Sequence, residues 1–149
     1  MATIFTKIIN GEIPGAFVYQ DDQCAAFLDV EPLTDGHVLV VPREEYDHWI
    51  DMPVDLTNHL FDVAQQIGKA QKQAFDAERI GLMVQGYEVP HVHIHVWPTQ
   101  QISDFDPRNK GPQAEPETLQ KNAQKITRQL SADGVKTGVG GTDSDPEQA

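Results

Sequence analysis

An α+β fold with one mixed or antiparallel sheet and a single long central helix follows from three features of this 149-residue chain. Five short runs rich in β-branched and aromatic residues read as strands. One long stretch repeats its apolar residues at the helical period. Several of the runs are joined by short clusters of turn residues, which suit antiparallel connections and leave no room for a crossover helix. The chain is long enough for one core and short for two, and its 39% hydrophobic residues and 11 Gly are ordinary for a globular domain.

Taken in order, Phe17 to Gln20 and Cys24 to Asp29 form the first two strands, with Asp21 and Asp22 at the turn. Glu31 to Gly36 returns the chain to a third, His37 to Pro42. From Pro53 to Asp76 the residues Leu56, Leu60, Val63, Ile67, Ala70, Ala74 and Phe75 make one apolar stripe, so this helix must cover a face of the sheet. Gly81 to Gln85 and His91 to Pro98 complete the strands. Ser103 to Pro116 is rich in proline and charge without any period, a linker or an irregular flap. Leu119, Ala123, Ile126 and Leu130 then mark a C-terminal helix starting after Pro116. Ser131 to Ala149 has four Gly, a net charge of −3 and no aromatic residue, a composition too poor in apolar surface to offset its ordering entropy. The expected organisation is a compact domain over 1–110, a helical extension over 111–130 and a disordered acidic tail over 131–149.

Lys and Arg number 11 against 23 Asp and Glu, a net charge of −12. That excess repels a phosphate backbone, so nucleic acid is not an expected partner. No apolar run approaches a membrane span, and Lys7 and Glu12 interrupt the opening where a signal peptide would be apolar, which points to a cytoplasmic protein without membrane contact. Cys24 lies in an apolar run and reads as a buried, inert thiol.

The chemistry is concentrated in His91-Val-His-Ile-His-Val-Trp-Pro98. In a strand, alternate side chains share a face, so Val92, Ile94 and Val96 enter the core while His91, His93 and His95 line the other side. Three imidazoles in a row are more than a solvent-facing polar edge requires. Two readings remain open on spacing alone. The imidazoles hold a catalytic metal with a further His, or one of them attacks phosphorus while its neighbours hold the phosphoryl oxygens. His37 opens a neighbouring run and joins the same face if the two strands pair. Asp29 offers a carboxylate to ribose hydroxyls or simply caps a turn.

The run from His91 to Val96, the opening Thr3-Ile-Phe-Thr-Lys-Ile-Ile-Asn-Gly-Glu-Ile-Pro14, and Asp29-Val-Glu-Pro32 followed by Gly36-His-Val-Leu-Val-Val-Pro42 closely resemble the histidine triad (HIT) nucleotide-binding family. The resemblance covers roughly residues 3 to 98. It implies a sheet with a long helix, a homodimer, and hydrolysis or transfer of a nucleoside monophosphate through a nucleotidyl-histidine intermediate. By position, His93 resembles the nucleophile, His95 and His37 the ligands of the α-phosphate, and His91 the residue whose carbonyl orients the nucleophile. Asp29 resembles the ribose-binding carboxylate. Phe5, Ile8, Ile13, Leu28, Val30 and Leu39 resemble the pocket for a purine base of an AMP or GMP moiety, and Gln85 and Val89 join the substrate-binding positions. Neither a cofactor nor a metal is expected. The substrates implied are nucleoside 5′-phosphoramidates, acyl-adenylates or dinucleoside polyphosphates. A nucleotide-binding regulatory protein with little turnover and a metal-dependent phosphohydrolase are the alternatives.

The chain also departs from the family. The stretch before the triad, Gln85-Gly-Tyr-Glu-Val-Pro90, lacks the Ser or Thr that serves the leaving group in many members; Gln85 can supply an amide and Glu88 a carboxylate there, or both are plain loop residues. Thr3, Thr6 and Glu45 stand where zinc-binding members carry Cys, Cys and His, and the structural zinc site is expected to be absent. His48 and His59 read as solvated, Tyr87 and Trp97 as flanking the pocket or the subunit boundary, and Arg108 as a possible phosphate contact.

Overall fold

A computed structural model describes residues 2–139. In chain order the elements are α1 (Ile4–Ile9), β1 (Phe17–Gln20), β2 (Cys24–Leu28), β3 (Val38–Pro42), α2 (Val54–Ala74), β4 (Arg79–Met83), β5 (Ile94–Thr99) and α3 (Pro116–Ala132), with short 3₁₀ turns at Trp49–Asp51, Ile102–Phe105 and Pro107–Asn109. The five strands form one sheet in the order β1-β2-β3-β5-β4, and every neighbouring pair is antiparallel. The α+β class with an antiparallel sheet and one long helix is what the sequence predicts.

Alternation sorts the sheet into two faces. Cys24, Ala26 and Leu28 of β2, Val38 and Val40 of β3, and Ile94 and Val96 of β5 meet Leu60, Val63 and Ile67 of α2 and Ile126 and Leu130 of α3 in the main core. On the opposite face Phe27, Leu39 and Val41 meet Phe5 and Ile8 of α1 in a second, smaller cluster. Both faces of β5 are therefore covered, and every residue from His91 to Thr99 is buried. Among the described residues no helix is long and apolar enough to cross a membrane.

Where elements differ from the reading above, local hydrogen bonding explains it. Helix α1 is too short for its period to show in the sequence. The Thr3 side chain caps it by accepting from the Thr6 amide, and Phe5 and Ile8 anchor it. The histidine run does not begin as ladder. His91 N–H turns back to the Val89 carbonyl (2.8 Å) and Val92 N–H goes to the Tyr46 carbonyl (2.7 Å), so β5 starts only at Ile94.

The stretch read as a disordered tail enters the fold in its first part. Helix α3 runs to Ala132, Gly134 takes the left-handed conformation that closes a helix, and Val135 packs on the main core. Beyond it the Thr137 carbonyl accepts from Gln20 N–H at 2.7 Å and the Gly138 carbonyl from Gln20 Nε2 at 3.0 Å, which covers the free edge of β1. An average over the whole acidic segment hides these few anchors. Residues 140–149 lie outside the described residues.

One buried brace ties α2 to the turn before β3 and to β5. Gln71, on the inner face of α2, donates from Nε2 to the Gly36 carbonyl (2.9 Å) and to the Val96 carbonyl (2.8 Å). Gly36 has φ +89°, and the Phe75 ring occupies the space a Cβ would need, so this turn into β3 requires glycine on both counts.

Candidate active site

Strand pairing assembles the histidines. Leu39 of β3 lies opposite His95 of β5, and Val38 opposite Val96, which brings His37, just ahead of β3, beside His95. Their rings meet with His37 Nε2 and His95 Nδ1 3.0 Å apart. A backbone amide fixes which nitrogen carries the hydrogen. Leu33 N–H donates to His37 Nδ1 at 3.0 Å, so in the neutral ring the hydrogen sits on Nε2. His37 Nε2–H then donates to His95 Nδ1, and His95 must hold its own hydrogen on Nε2. That Nε2 is buried and has no hydrogen-bond partner among the described residues. Leaving such a group unpaired costs about 1–3 kcal/mol.

Both rings are neutral. Burial, with the neighbouring imidazoles adding to it, pushes His37 down to about 3, and burial pushes His95 down to about 4. Asp29 Oδ2 lies 3.7 Å from His37 Nε2 and 4.0 Å from His95 Nδ1. Those distances suggest ion pairs, but the depressed imidazoles make them contacts between a carboxylate and neutral rings. The free protein thus holds these two rings as neutral hydrogen-bond donors. The Trp97 ring backs His37 at 5.5 Å between centroids, and Gly81 leaves the room that the Trp97 and Phe105 rings fill.

His93 is set by a parallel arrangement. Its Nδ1–H donates to the His91 carbonyl at 2.7 Å, which leaves the Nε2 lone pair free, the tautomer a nucleophile needs. The His91 ring is itself locked. Its Nε2–H donates to the Pro42 carbonyl at 2.8 Å, and its Nδ1 accepts from the Thr3 hydroxyl at 2.6 Å. Glu45 Oε2 in turn accepts from Thr3 N–H (2.9 Å) and the Thr6 hydroxyl (2.6 Å). The four positions Thr3, Thr6, Glu45 and His91 thus close on one another by hydrogen bonds. The Phe5 ring meets His93 edge-on at 4.8 Å.

The apolar positions named from the sequence divide between the faces. Phe5, Ile8, Ile13, Leu39 and Val89 gather in the smaller cluster beside His93. Leu28 does not join them: it points to the opposite face and packs in the main core. Val30 is 45% exposed and outside both clusters. Phe27 takes the place expected of Leu28, opposite Leu39 across the β2–β3 pair. Parity gives the signal for it, since Phe27 and Asp29 are two apart and share a face. Asp29 itself is held by its amide, which donates to the His37 carbonyl (2.9 Å), and its Oδ1 accepts from Glu31 N–H (2.9 Å). Burial pushes its carboxyl up to about 6 against the pull of that hydrogen bond and of Lys110.

A pocket lined also by His37 and His95 opens between Asp29, Glu31, Gln85, Glu88 and Lys110. Gln85 reaches it and also accepts from the Tyr87 amide at 2.7 Å. Lys110, not singled out in the sequence, bridges Glu31 (3.1 Å) and Glu88 (3.0 Å). Arg108 instead pairs with Asp106 and is 88% exposed in its side chain. Tyr87 is 94% exposed, whereas Trp97 is buried. His48 is exposed as expected. His59 is half-buried rather than fully solvated, its Nε2 meeting Asp21 Oδ2 of the β1–β2 turn at 2.7 Å.

Two clusters of potential metal donors occur among the described residues, Asp29 with His37 and His95, and Asp21 with Cys24 and His59. Neither fits a cation as it stands. In the first, the Leu33 amide forces the hydrogen onto the His37 nitrogen that would have to bind the ion. In the second, the Asp21 oxygens already accept from Gln23, Cys24, Tyr19 and His59, and burial pushes the Cys24 thiol up, away from the thiolate a metal needs.

A sheet with a long helix behind it, carrying three alternating histidines that meet a fourth from the adjoining strand, defines a class of protein. The HIT domain model matches residues 10–102. An uncharacterised HIT-like protein of Methanocaldococcus jannaschii is 44% identical over 99 residues, covering 64% of this chain and 77% of its own length. The adenosine 5′-monophosphoramidase of Saccharomyces cerevisiae is 30% identical over 123 residues, 73% of this chain and 77% of that protein. A HIT-like protein of Bartonella henselae has a crystal structure that superposes with a TM-score of 0.77 at 32% identity, covering 85% of this chain and 95% of that one. The chain belongs to the HIT family.

Proposed function

We propose that the protein cleaves purine nucleotides at the α-phosphorus, a nucleoside 5′-phosphoramidate foremost, through a covalent nucleotidyl-His93. The observation that carries this reading is the 2.7 Å hydrogen bond from His93 Nδ1–H to the His91 carbonyl, which frees Nε2 to attack. The base lies against Phe5, Ile8 and Leu39, and Asp29 accepts from the ribose hydroxyls. His93 Nε2 forms a bond to phosphorus while the bond to the leaving nitrogen breaks; its electron pair stays on nitrogen, and the amine departs with a proton taken from solvent. Water then attacks the nucleotidyl-imidazole, releasing the nucleoside monophosphate and restoring Nε2. His95 Nε2–H, unpartnered in the free protein, donates to a phosphoryl oxygen, and His37 holds His95 in the tautomer that makes this possible. The name of the yeast relative supports the phosphoramidate over the other substrates.

A homodimer belongs to the same proposal. The outer edge of β4 is free, with Leu82 47% and the neighbouring Phe61 of α2 43% exposed. The His37 tautomer argues against the metal-dependent alternative. Turnover of adenosine 5′-phosphoramidate after exhaustive treatment with EDTA and phenanthroline separates the two. It should persist, and loss that zinc restores would establish the metal reading.

A further inference from the structure

We propose that the pocket beyond His95 receives the leaving group, that it favours one bearing a cationic amine, and that Glu31 and Glu88 make this selection. The inference rests on the hydrolase reading and specifies its substrate. Two independent features place the leaving group here. His95 is only 8% exposed, and its unpartnered Nε2 belongs to a ring that lines this pocket, so the phosphoryl group sits at its inner wall. Neither His93 nor any residue of the apolar cluster that takes the base lines the pocket; the ribose reaches it at Asp29, and the departing group takes the part lined by Glu31, Glu88 and Lys110.

The charge of the lining sets the class of that group. With Asp29 given to the ribose, two carboxylates, Glu31 and Glu88, face one ammonium, Lys110. Lys110 is already shared between Glu31 at 3.1 Å and Glu88 at 3.0 Å, so it leaves the rim net negative. The whole chain adds its net charge of −12. A pyrophosphate or second nucleotide would enter against this field. An alkylamine would find carboxylate acceptors at its end, and Leu33, Met83 and Pro107 beside its methylene stem.

The test uses three adenosine 5′-phosphoramidates whose nitrogen carries an aminobutyl, a butyl or a carboxypropyl group. At low salt kcat/KM should be roughly 10-fold higher for the cationic than for the anionic compound, a modest ratio because the rim is wet, and it should shrink as salt screens the rim. The double variant Glu31→Gln, Glu88→Gln should bring the ratio to about one or below, Lys110→Met should raise it, and Glu117→Gln on exposed α3 should leave it unmoved. Kd values of the same compounds for His93→Ala give the ratio without turnover. If none of the three is cleaved while the Kd ratio holds, the hydrolase reading falls and the charge selection stands. Equal values for the three compounds in the unaltered protein, or a preference the double variant does not change, would overturn the proposal.

Discussion

Each imidazole of the site has its hydrogen assigned by a backbone group. The Leu33 amide sets His37 and through it His95, and the His91 carbonyl sets His93. Substitutions should therefore separate by role. His93→Ala should abolish turnover while AMP still binds by calorimetry, because base and ribose contacts are untouched. His95→Ala removes one donor to a phosphoryl oxygen and should cost about 10²- to 10³-fold in kcat. Retention of more activity by His93→Ala than by His95→Ala would contradict the assignment. A third expectation concerns Asp29, which burial pushes up to about 6. Only its ionised form accepts from both ribose hydroxyls, so AMP affinity should fall as pH drops through about 6. Asn at this position should bind weakly and without that dependence.

Elements place these side chains, and their legibility varied with the length over which a pattern persists. Helix α2 and the alternation of β5 were plain in the sequence because many residues repeat one period. Helix α1 was not, since six residues give less than two turns. Leu28 was misplaced by proximity to Asp29, where parity would have chosen Phe27. The tautomers and the Lys110 bridge depend on contacts between residues far apart in the chain, which no local period encodes. Gln71 shows the same limit: on an apolar helix face it is a polar intruder until its two carbonyl partners are seen. Replacing it with Leu removes both hydrogen bonds and should cost about 1–3 kcal/mol in urea denaturation. The docking of α3 is tested by Ile126→Ala, which empties a fully buried position and should cost about 2–5 kcal/mol. An unchanged urea midpoint for Ile126→Ala would mean that α3 does not dock.

For the whole molecule, assembling neutral histidines makes stability depend on pH. An imidazole titrates near 6.5 in the unfolded chain, whereas burial brings His37 to about 3 and His95 to about 4. Between these values the unfolded chain takes up protons that the folded chain refuses, so stability is full above about pH 6.5 and falls below it. Asp29 acts in the opposite sense, since its raised carboxyl favours the folded state at acid pH and that contribution is lost as pH rises through about 6. Each imidazole shift exceeds that of the carboxyl, so Tm should fall between pH 6.5 and 4.5, and His37→Gln should flatten the fall.

The central claim is that His93 Nε2 bonds to phosphorus, and trapping that bond tests it most directly. A phosphorus-labelled adenosine 5′-phosphoramidate, mixed with the protein and quenched in base within milliseconds, should leave label on one histidine, which peptide mapping places at His93. Label that accumulates and decays at rates matching turnover is the predicted result. Full turnover with no label on His93, or label that persists in His93→Ala, would contradict the account.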